Sequence, residues 1–458
     1  MRLFENTFRA GILFVLFVVS VLFIAPQSAV HANSLSSVVD AQSVKSALSQ
    51  HLKRATIDEK EVGKSFSLKF EMMIPQPINH FQSSSDGETA MGEFFQRVFL
   101  FHKSFDKPVI FVTEGYDASY AESSRYKHEL CDLLDANLIV VEHRFYGKSI
   151  PEELAWKFLN IKQAAADHHQ IAQTLRELYT NKWISTGTSK GGSTAIYHKA
   201  LYPNDVDAVV AYVAPITIAQ EDPRPIEFVL NNSHKKERKA VEDFQKRILK
   251  DKTEAIKYLE NFKEKHKVKF IMPIEAVVEY TVFEYAYSFW QWGMSPNRIP
   301  NKKSKMEQLV NHLFMIVTPT TFVDDRSTSS ATYYYQAYSE TGYYSFNEMA
   351  KKFSKFKLSQ NDYGNRIMAD MNLEIKYDPN THIEILEKLN SATENIIQIH
   401  GSIDPWRYAA WEPPVNSNCL FFEAEGIAHG ANYKNLSVEQ KKSFKDAIKL
   451  FTAIEVKD

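Results

Sequence analysis

The sequence predicts an α/β fold: a largely parallel sheet with helices on both faces and a helical insertion late in the sheet. Three observations carry this. The apolar runs 108–113 and 137–141 are continuous and of strand length, as central parallel strands covered on both faces must be, and a further apolar run follows at 206–213. The stretch 183–196 places Gly187-x-Ser189-x-Gly191 between a strand and a helix. In such a turn the flanking positions must lack bulk, and the serine is thrust to the top of the sheet with a helix N-terminus aimed at it. Finally, the order helix (164–179), strand, elbow, helix (195–201), strand is the one an α/β-hydrolase requires.

Taken from the start, Arg2 and Arg9 precede an apolar run over 11–25 that ends in Ser28-Ala29-Val30-His31-Ala32. This is the pattern of a signal peptide, 1–32, cleaved after Ala32. The alternative, a retained anchor, would need a longer apolar core. The mature chain is therefore expected to be secreted or periplasmic, with no stable membrane insertion after cleavage. Residues 33–63 read as a polar leader of helical pattern. A first part of the hydrolase core is expected over 64–220. It begins with a strand of period two at 65–72 and another strand at 94–101, with turn and loop at 76–81 and 83–87 between them. The apolar strands end in Glu114-Gly115-Tyr116-Asp117 and in Glu142-His143-Arg144-Phe145-Tyr146-Gly147. Because ligands in such sheets bind outside the carboxyl ends of strands, both loops share one rim with the serine. Residues 221–390 read as a helical cap, Lys-rich over 235–269 and then strongly aromatic, as at Phe289-Trp290 and Tyr333-Tyr334-Tyr335. The core resumes over 391–458 with strands at 395–401 and 419–423 and a closing amphipathic helix at 438–451. Cys131 and Cys419 fall on different parts of the sheet and are expected to be two buried thiols.

An activated serine needs a base, and the base needs an orienting acid. In this fold they follow in the order Ser, acid, His. Asp404, in Gly401-Ser402-Ile403-Asp404-Pro405-Trp406, follows a late strand. His429, in Gly426-Ile427-Ala428-His429-Gly430, follows the next one. Asp378, before Pro379, is the rival acid, but it lies in cap-like sequence. The oxyanion donors expected are the backbone N–H of Lys190 and a group from the rim: Tyr116, or the hydroxyl of Tyr146. No H-E-x-x-H, Cys/His cluster or nucleotide loop is present, so no metal or cofactor is expected. A formal net charge of -2 implies no nucleic-acid partner.

The motifs Gln76-Pro77-Ile78-Asn79-His80-Phe81, Glu142-His143-Arg144-Phe145-Tyr146-Gly147-Lys148-Ser149, Gly187-Thr188-Ser189-Lys190-Gly191-Gly192 and Gly401-Ser402-Ile403-Asp404-Pro405-Trp406 together resemble those of secreted prolyl tri- and tetrapeptidyl aminopeptidases. These are serine peptidases related to lysosomal prolyl carboxypeptidase and dipeptidyl peptidase II. The resemblance spans 76–430. It implies the same Ser189, Asp404 and His429 triad, a helical cap, peptide substrates and cleavage after proline. Lys190 points to the bacterial aminopeptidase branch, where the lysosomal relatives usually carry tyrosine. Asn79 departs from the aspartate common at that place. The resemblance also makes Trp406 a wall of the proline pocket and Tyr343 a second wall, with Glu340 as a polar contact. An N-terminal amine held in a confined site needs a carboxylate. Glu114, Glu142 and Glu340 are placed to supply it, with Glu340 favoured and Glu142 alternatively tied to Arg144. The function expected is an exported serine exopeptidase that releases short N-terminal peptides after proline. The alternatives are a carboxypeptidase or esterase on the same triad, or a catalytically silent binding protein.

Overall fold

The computed structural model describes residues 40–81, 92–152, 154–324, 329–365 and 375–457. The signal peptide expected at 1–32, the start of the leader and the loop at 83–87 lie outside the described residues. A nine-stranded sheet runs through the molecule. Its strands are β1 (Thr56–Lys60), β2 (Leu68–Pro77), β3 (Glu93–His102), β4 (Val109–Thr113), β5 (Asn137–Val141), β6 (Trp183–Thr188), β7 (Ala208–Tyr212), and, after a small second sheet of β8 (Glu221–Asp222) and β9 (Tyr343–Tyr344), β10 (Ile396–Gly401) and β11 (Leu420–Ala424). The order across the sheet is β1-β2-β3-β5-β4-β6-β7-β10-β11. The first three pair antiparallel, as do β3 and β5, and every later pairing is parallel. This is the α/β-hydrolase arrangement. β4, β5 and β7 are buried at every residue, which is why their sequences carry no alternation.

Helices α1 (Ala41–His51), α2 (Glu129–Leu134), α3 (Ile161–Arg176), α4 (Lys190–Leu201), α12 (Asn380–Ser391) and α13 (Val438–Thr452) accompany the sheet, while α5 (Arg224–Asn231), α6 (Lys235–Lys250), α7 (Thr253–His266), α8 (Ile274–Gln291), α9 (Met306–Ile316), α10 (Ser329–Gln336) and α11 (Asn347–Phe353) lie between β7 and β10. This second group builds its own hydrophobic core, in which the aromatic run of α8 (Tyr280, Phe283, Tyr285, Tyr287, Phe289) is fully buried; Trp406 and Ala409 from the sheet side join it. Two further cores cover the two faces of the sheet. No helix among the described residues is long and apolar enough to cross a membrane.

Two expectations need correction. The leader is not helical throughout: α1 is followed by β1, which pairs antiparallel with β2 and buries only Ile57. An edge strand with one buried position leaves almost no hydrophobic period to read. And β2 does not end before the expected turn but runs on through Gln76 and Pro77, opposite Phe94 and Glu93 of β3. Cys131 and Cys419 are both buried and free, as expected.

Candidate active site

Ser189 links β6 to α4 with φ 56° and ψ -124°. A non-glycine residue there is strained, and such strain is held only when the surroundings over-determine it. They do. A Cβ at Gly187 would collide with the backbone of Gly191, and one at Gly115 would meet the backbone of Lys190 and Gly191 at 2.7 Å. The strand end, the start of the helix and the β4 loop thus touch backbone to backbone, and Ser189 has one place to go.

His429 Nε2 lies 2.9 Å from Ser189 Oγ, and His429 Nδ1 lies 2.6 Å from Asp404 Oδ2. The imidazole is locked from two more directions. Its backbone N–H donates to Gln291 O of α8 at 3.1 Å. Its loop lies against Gly401 at the end of β10, where a Cβ would collide with Ile427 O and Ala428 O. Asp404 is fully buried, and its second oxygen accepts the N–H of Trp406 at 3.1 Å. Capping the turn and orienting the histidine are therefore not rival roles; one oxygen serves each. The rival acid, Asp378, instead accepts the N–H of Asn380 at the start of α12. A serine hydroxyl, an imidazole and a buried carboxylate in this chain of contacts form the arrangement that raises a hydroxyl to a nucleophile.

Lys190 begins α4, where a helix offers its N–H no acceptor. Its side chain folds back, with Nζ donating to Gly115 O at 2.6 Å and lying 5.1 Å from the ring of Tyr146 and 5.5 Å from that of Tyr116. Burial lowers its pKa to about 7, against the opposing pull of Glu114 and Glu340. Tyr116 O accepts from His143 N, which ties the two rim loops together. Tyr146 is 2% exposed, and its hydroxyl has no partner among the described residues.

A cleft opens at this point, lined by His143, Lys190, Ser193 and Trp406 from the core and by Tyr333 and Gly342 from the inserted segment. The Trp406 ring lies 5.3 Å from that of Tyr343 and 5.1 Å from that of Tyr344, and its indole N–H donates to Gln291 Oε1 at 3.4 Å. Trp406, two residues after Asp404, and Tyr343 thus pack ring against ring.

The carboxylates singled out from the sequence fare differently. Glu142 does not face the cleft. It is fully buried and accepts from Arg97 of β3, from the Ser149 hydroxyl at 2.8 Å, and from the N–H groups of Lys148 at 2.7 Å and Ala118 at 2.9 Å. Its cation is Arg97 and not the adjacent Arg144, which is held by Asp167. The tight turn at Gly147, φ 54°, needs glycine, because a Cβ there would collide with the Glu142 carboxylate. Glu142 is a structural hub and is withdrawn as a substrate contact. Glu340 is 6% exposed and spends Oε2 on the N–H of Ile161 at the start of α3, at 2.7 Å. Glu114 stands on the rim and accepts from the Tyr120 hydroxyl. Burial raises both to about 7. The sequence reading passed over Gln291, which bridges His429 and Trp406, and Glu284, two helical turns before it. Both sit in a helix whose aromatic content reads simply as core. Among the described residues no group of three His, Cys, Asp or Glu is placed to hold a metal ion.

A prolyl tri/tetrapeptidyl aminopeptidase from Streptomyces mobaraensis is 28% identical over 378 residues, 81% of this chain and 77% of the relative. The lysosomal Pro-X carboxypeptidase of Homo sapiens is 27% identical over 171 residues, 34% of this chain and 33% of the relative. Among solved structures, a proline iminopeptidase from Mycobacterium smegmatis aligns over 78% of this chain and 95% of its own, with a TM-score of 0.36 and 10% identity. The family model for PS-10 peptidase S37 matches residues 41–455, nearly the whole described chain, and the protein belongs to that family of serine peptidases.

Proposed function

We propose that the protein is an exported serine exopeptidase that releases short peptides from the N-terminus of its substrate by cutting after proline. The observation that carries this is the pair of contacts at His429, 2.9 Å to Ser189 Oγ and 2.6 Å to Asp404 Oδ2. Ser189 Oγ attacks the carbonyl of the residue before the scissile bond, and His429 takes the hydroxyl proton. Collapse breaks the C–N bond, and the leaving amine receives that proton. Water then releases the acyl group by the same route. Lys190 N–H donates to the oxyanion, together with Tyr116 from the rim or the free hydroxyl of Tyr146. The part of 221–390 that precedes α12 acts as the cap that closes the cleft, since α12 packs with the sheet. Export rests on Arg2, Arg9 and the apolar run behind them.

Proline is rigid and apolar, so a flat aromatic wall can hold it at little entropic cost. Trp406→Ala is expected to lower kcat/KM for proline substrates by about 10- to 100-fold, the range set by losing one buried aromatic contact. Substrates with alanine at that position should lose far less. Equal losses on both would reduce Trp406 to packing.

The carboxypeptidase reading has one observation in its favour: the similarity to the lysosomal Pro-X carboxypeptidases. Blocking the ends of one peptide separates the two. N-terminal acetylation should abolish most cleavage while C-terminal amidation leaves it intact. The opposite pattern would establish a carboxypeptidase.

A further inference from the structure

Four buried carboxylates among the described residues come with cations: Glu142 with Arg97, Asp167 with Arg144, Asp222 with Arg224 and Glu279 with Lys252. Glu284 does not. It lies in α8, is partly accessible to solvent, and its two oxygens meet only hydroxyls: Oε1 accepts from Ser288 at 2.8 Å and Oε2 from Tyr344 at 2.6 Å. Among the described residues no Lys, Arg or His pairs with it. Burial raises its pKa to about 7, and the two hydroxyls offset this only in part. Glu114 and Glu340 differ, since each has an ammonium in its surroundings: Lys190 feels both, and Lys162 acts on Glu340.

The place of Glu284 in the fold gives this a use. Glu284, Ser288 and Gln291 stand at i, i+4 and i+7 on one stripe of α8. Gln291 at the end of that stripe holds both the His429 backbone and the Trp406 indole. At the other end, the Tyr344 hydroxyl on Glu284 in turn accepts from the Tyr343 hydroxyl at 2.9 Å, and both tyrosine rings pack against Trp406. Seven residues of helix span roughly 10 Å, and an extended peptide covers roughly 3.3 Å per residue. The stripe therefore matches two to three residues of substrate laid from the triad toward Glu284. A carboxylate with oriented oxygens and no internal cation, at that distance, is built for a cation that arrives with the substrate.

We propose that Glu284 is the anchor for the N-terminal ammonium of the substrate, held in place by Tyr344 and Ser288, and that it sets how many residues separate the amine from the scissile bond. This replaces Glu340, which is engaged at the start of α3, as the specificity-determining carboxylate. It rests on the aminopeptidase reading given above.

The test compares one peptide with proline at position three, with a free and with an acetylated N-terminus, on the wild-type protein and on Glu284→Gln. The free-over-acetylated ratio of kcat/KM should fall by about 30-fold or more in Glu284→Gln, the loss typical of removing one partner of a desolvated charge pair. Most of the change should appear in KM. Labelling of Ser189 by a fluorophosphonate reports that the variant is folded. Should Glu284→Gln fail to label, Glu284→Asp carries the test: it keeps the charge but withdraws it by one methylene, and must lower the same ratio. If the wild-type protein discriminates strongly and the variants discriminate equally well, Glu284 is not the anchor although the aminopeptidase reading stands; loss of discrimination in Glu114→Gln or Glu340→Gln would then locate it. If the wild-type protein itself cuts both peptides equally, the aminopeptidase reading fails, and the role of Glu284 with it.

Discussion

Replacing Ser189 with alanine is expected to lower kcat/KM by about 10⁴-fold or more while leaving the fold intact. The hydroxyl is the group aimed at His429 Nε2, and its removal deletes no contact that supports the elbow, because the strained backbone is held by Gly187, Gly191 and Gly115. His429→Ala and Asp404→Asn should fall in the same range. Asp404→Asn is the more informative of the two. An amide on His429 Nδ1 would favour the wrong tautomer without moving the ring. The double variant Ser189→Ala/His429→Ala should lose little more than either single one, because residues that act as a unit are not additive. Steady-state kinetics on one proline peptide and a thermal melt for each variant decide the matter. Should Asp378→Asn be crippling and Asp404→Asn harmless, the acid has been misassigned.

The second large effect is on stability. Arg144 and Asp167 are both fully buried and meet in a two-pronged pair at 2.7 Å and 2.8 Å. The remaining guanidinium hydrogens go to Ile78 O at 3.0 Å, Phe158 O at 2.9 Å and Pro77 O at 3.3 Å, while His80 Nε2 lies 2.7 Å from Asp167 Oδ1. This knot ties the Gln76–Phe81 motif, α3 and the rim loop that carries His143 and Tyr146. Asp167→Asn should cost about 3–5 kcal/mol, because it leaves a buried guanidinium without its counter-charge. Replacing both partners with apolar residues of similar volume should cost less than the single change. Urea or thermal unfolding measures both. The sign of the pH dependence follows from the carboxyl. Burial alone would raise its pKa, but Arg144 and His80 outweigh burial and hold it below its ordinary 3.8. Its contribution is therefore fully present above pH 3.8 and is lost as the pH falls through the depressed folded value.

What the sequence made legible was local chemistry in chain order. The elbow could be read because its glycines leave no steric alternative. Asp404 and His429 could be read because each closes a strand in the required order. The pairing of Trp406 and Tyr343 came from the resemblance of motifs, and the structure brings their rings together. Pairings across the fold were not legible. Glu142 and Arg144 are neighbours in one motif, yet their partners are Arg97 on β3 and Asp167 on α3, chosen by the sheet order and not by sequence distance. Glu284 was hidden for a related reason: on a helix buried on nearly all sides, apolar periodicity no longer singles out the stripe of Glu284, Ser288 and Gln291. Strand β1 was hidden by the opposite circumstance, too little burial to leave a pattern.

The most direct measurement is the mass of the acyl-enzyme. The protein is mixed with a long peptide carrying proline at position three, quenched in acid within the first turnover, and digested for mass spectrometry. The acyl group retained on the serine is the part of the substrate N-terminal to the cut, so its mass reports the nucleophile and the end being read at once. The expected result is an ester on Ser189 carrying the three-residue fragment that ends in proline. An ester carrying the whole peptide less its last residue would make the protein a carboxypeptidase, and an adduct on any residue other than Ser189 would contradict the assignment of the nucleophile itself.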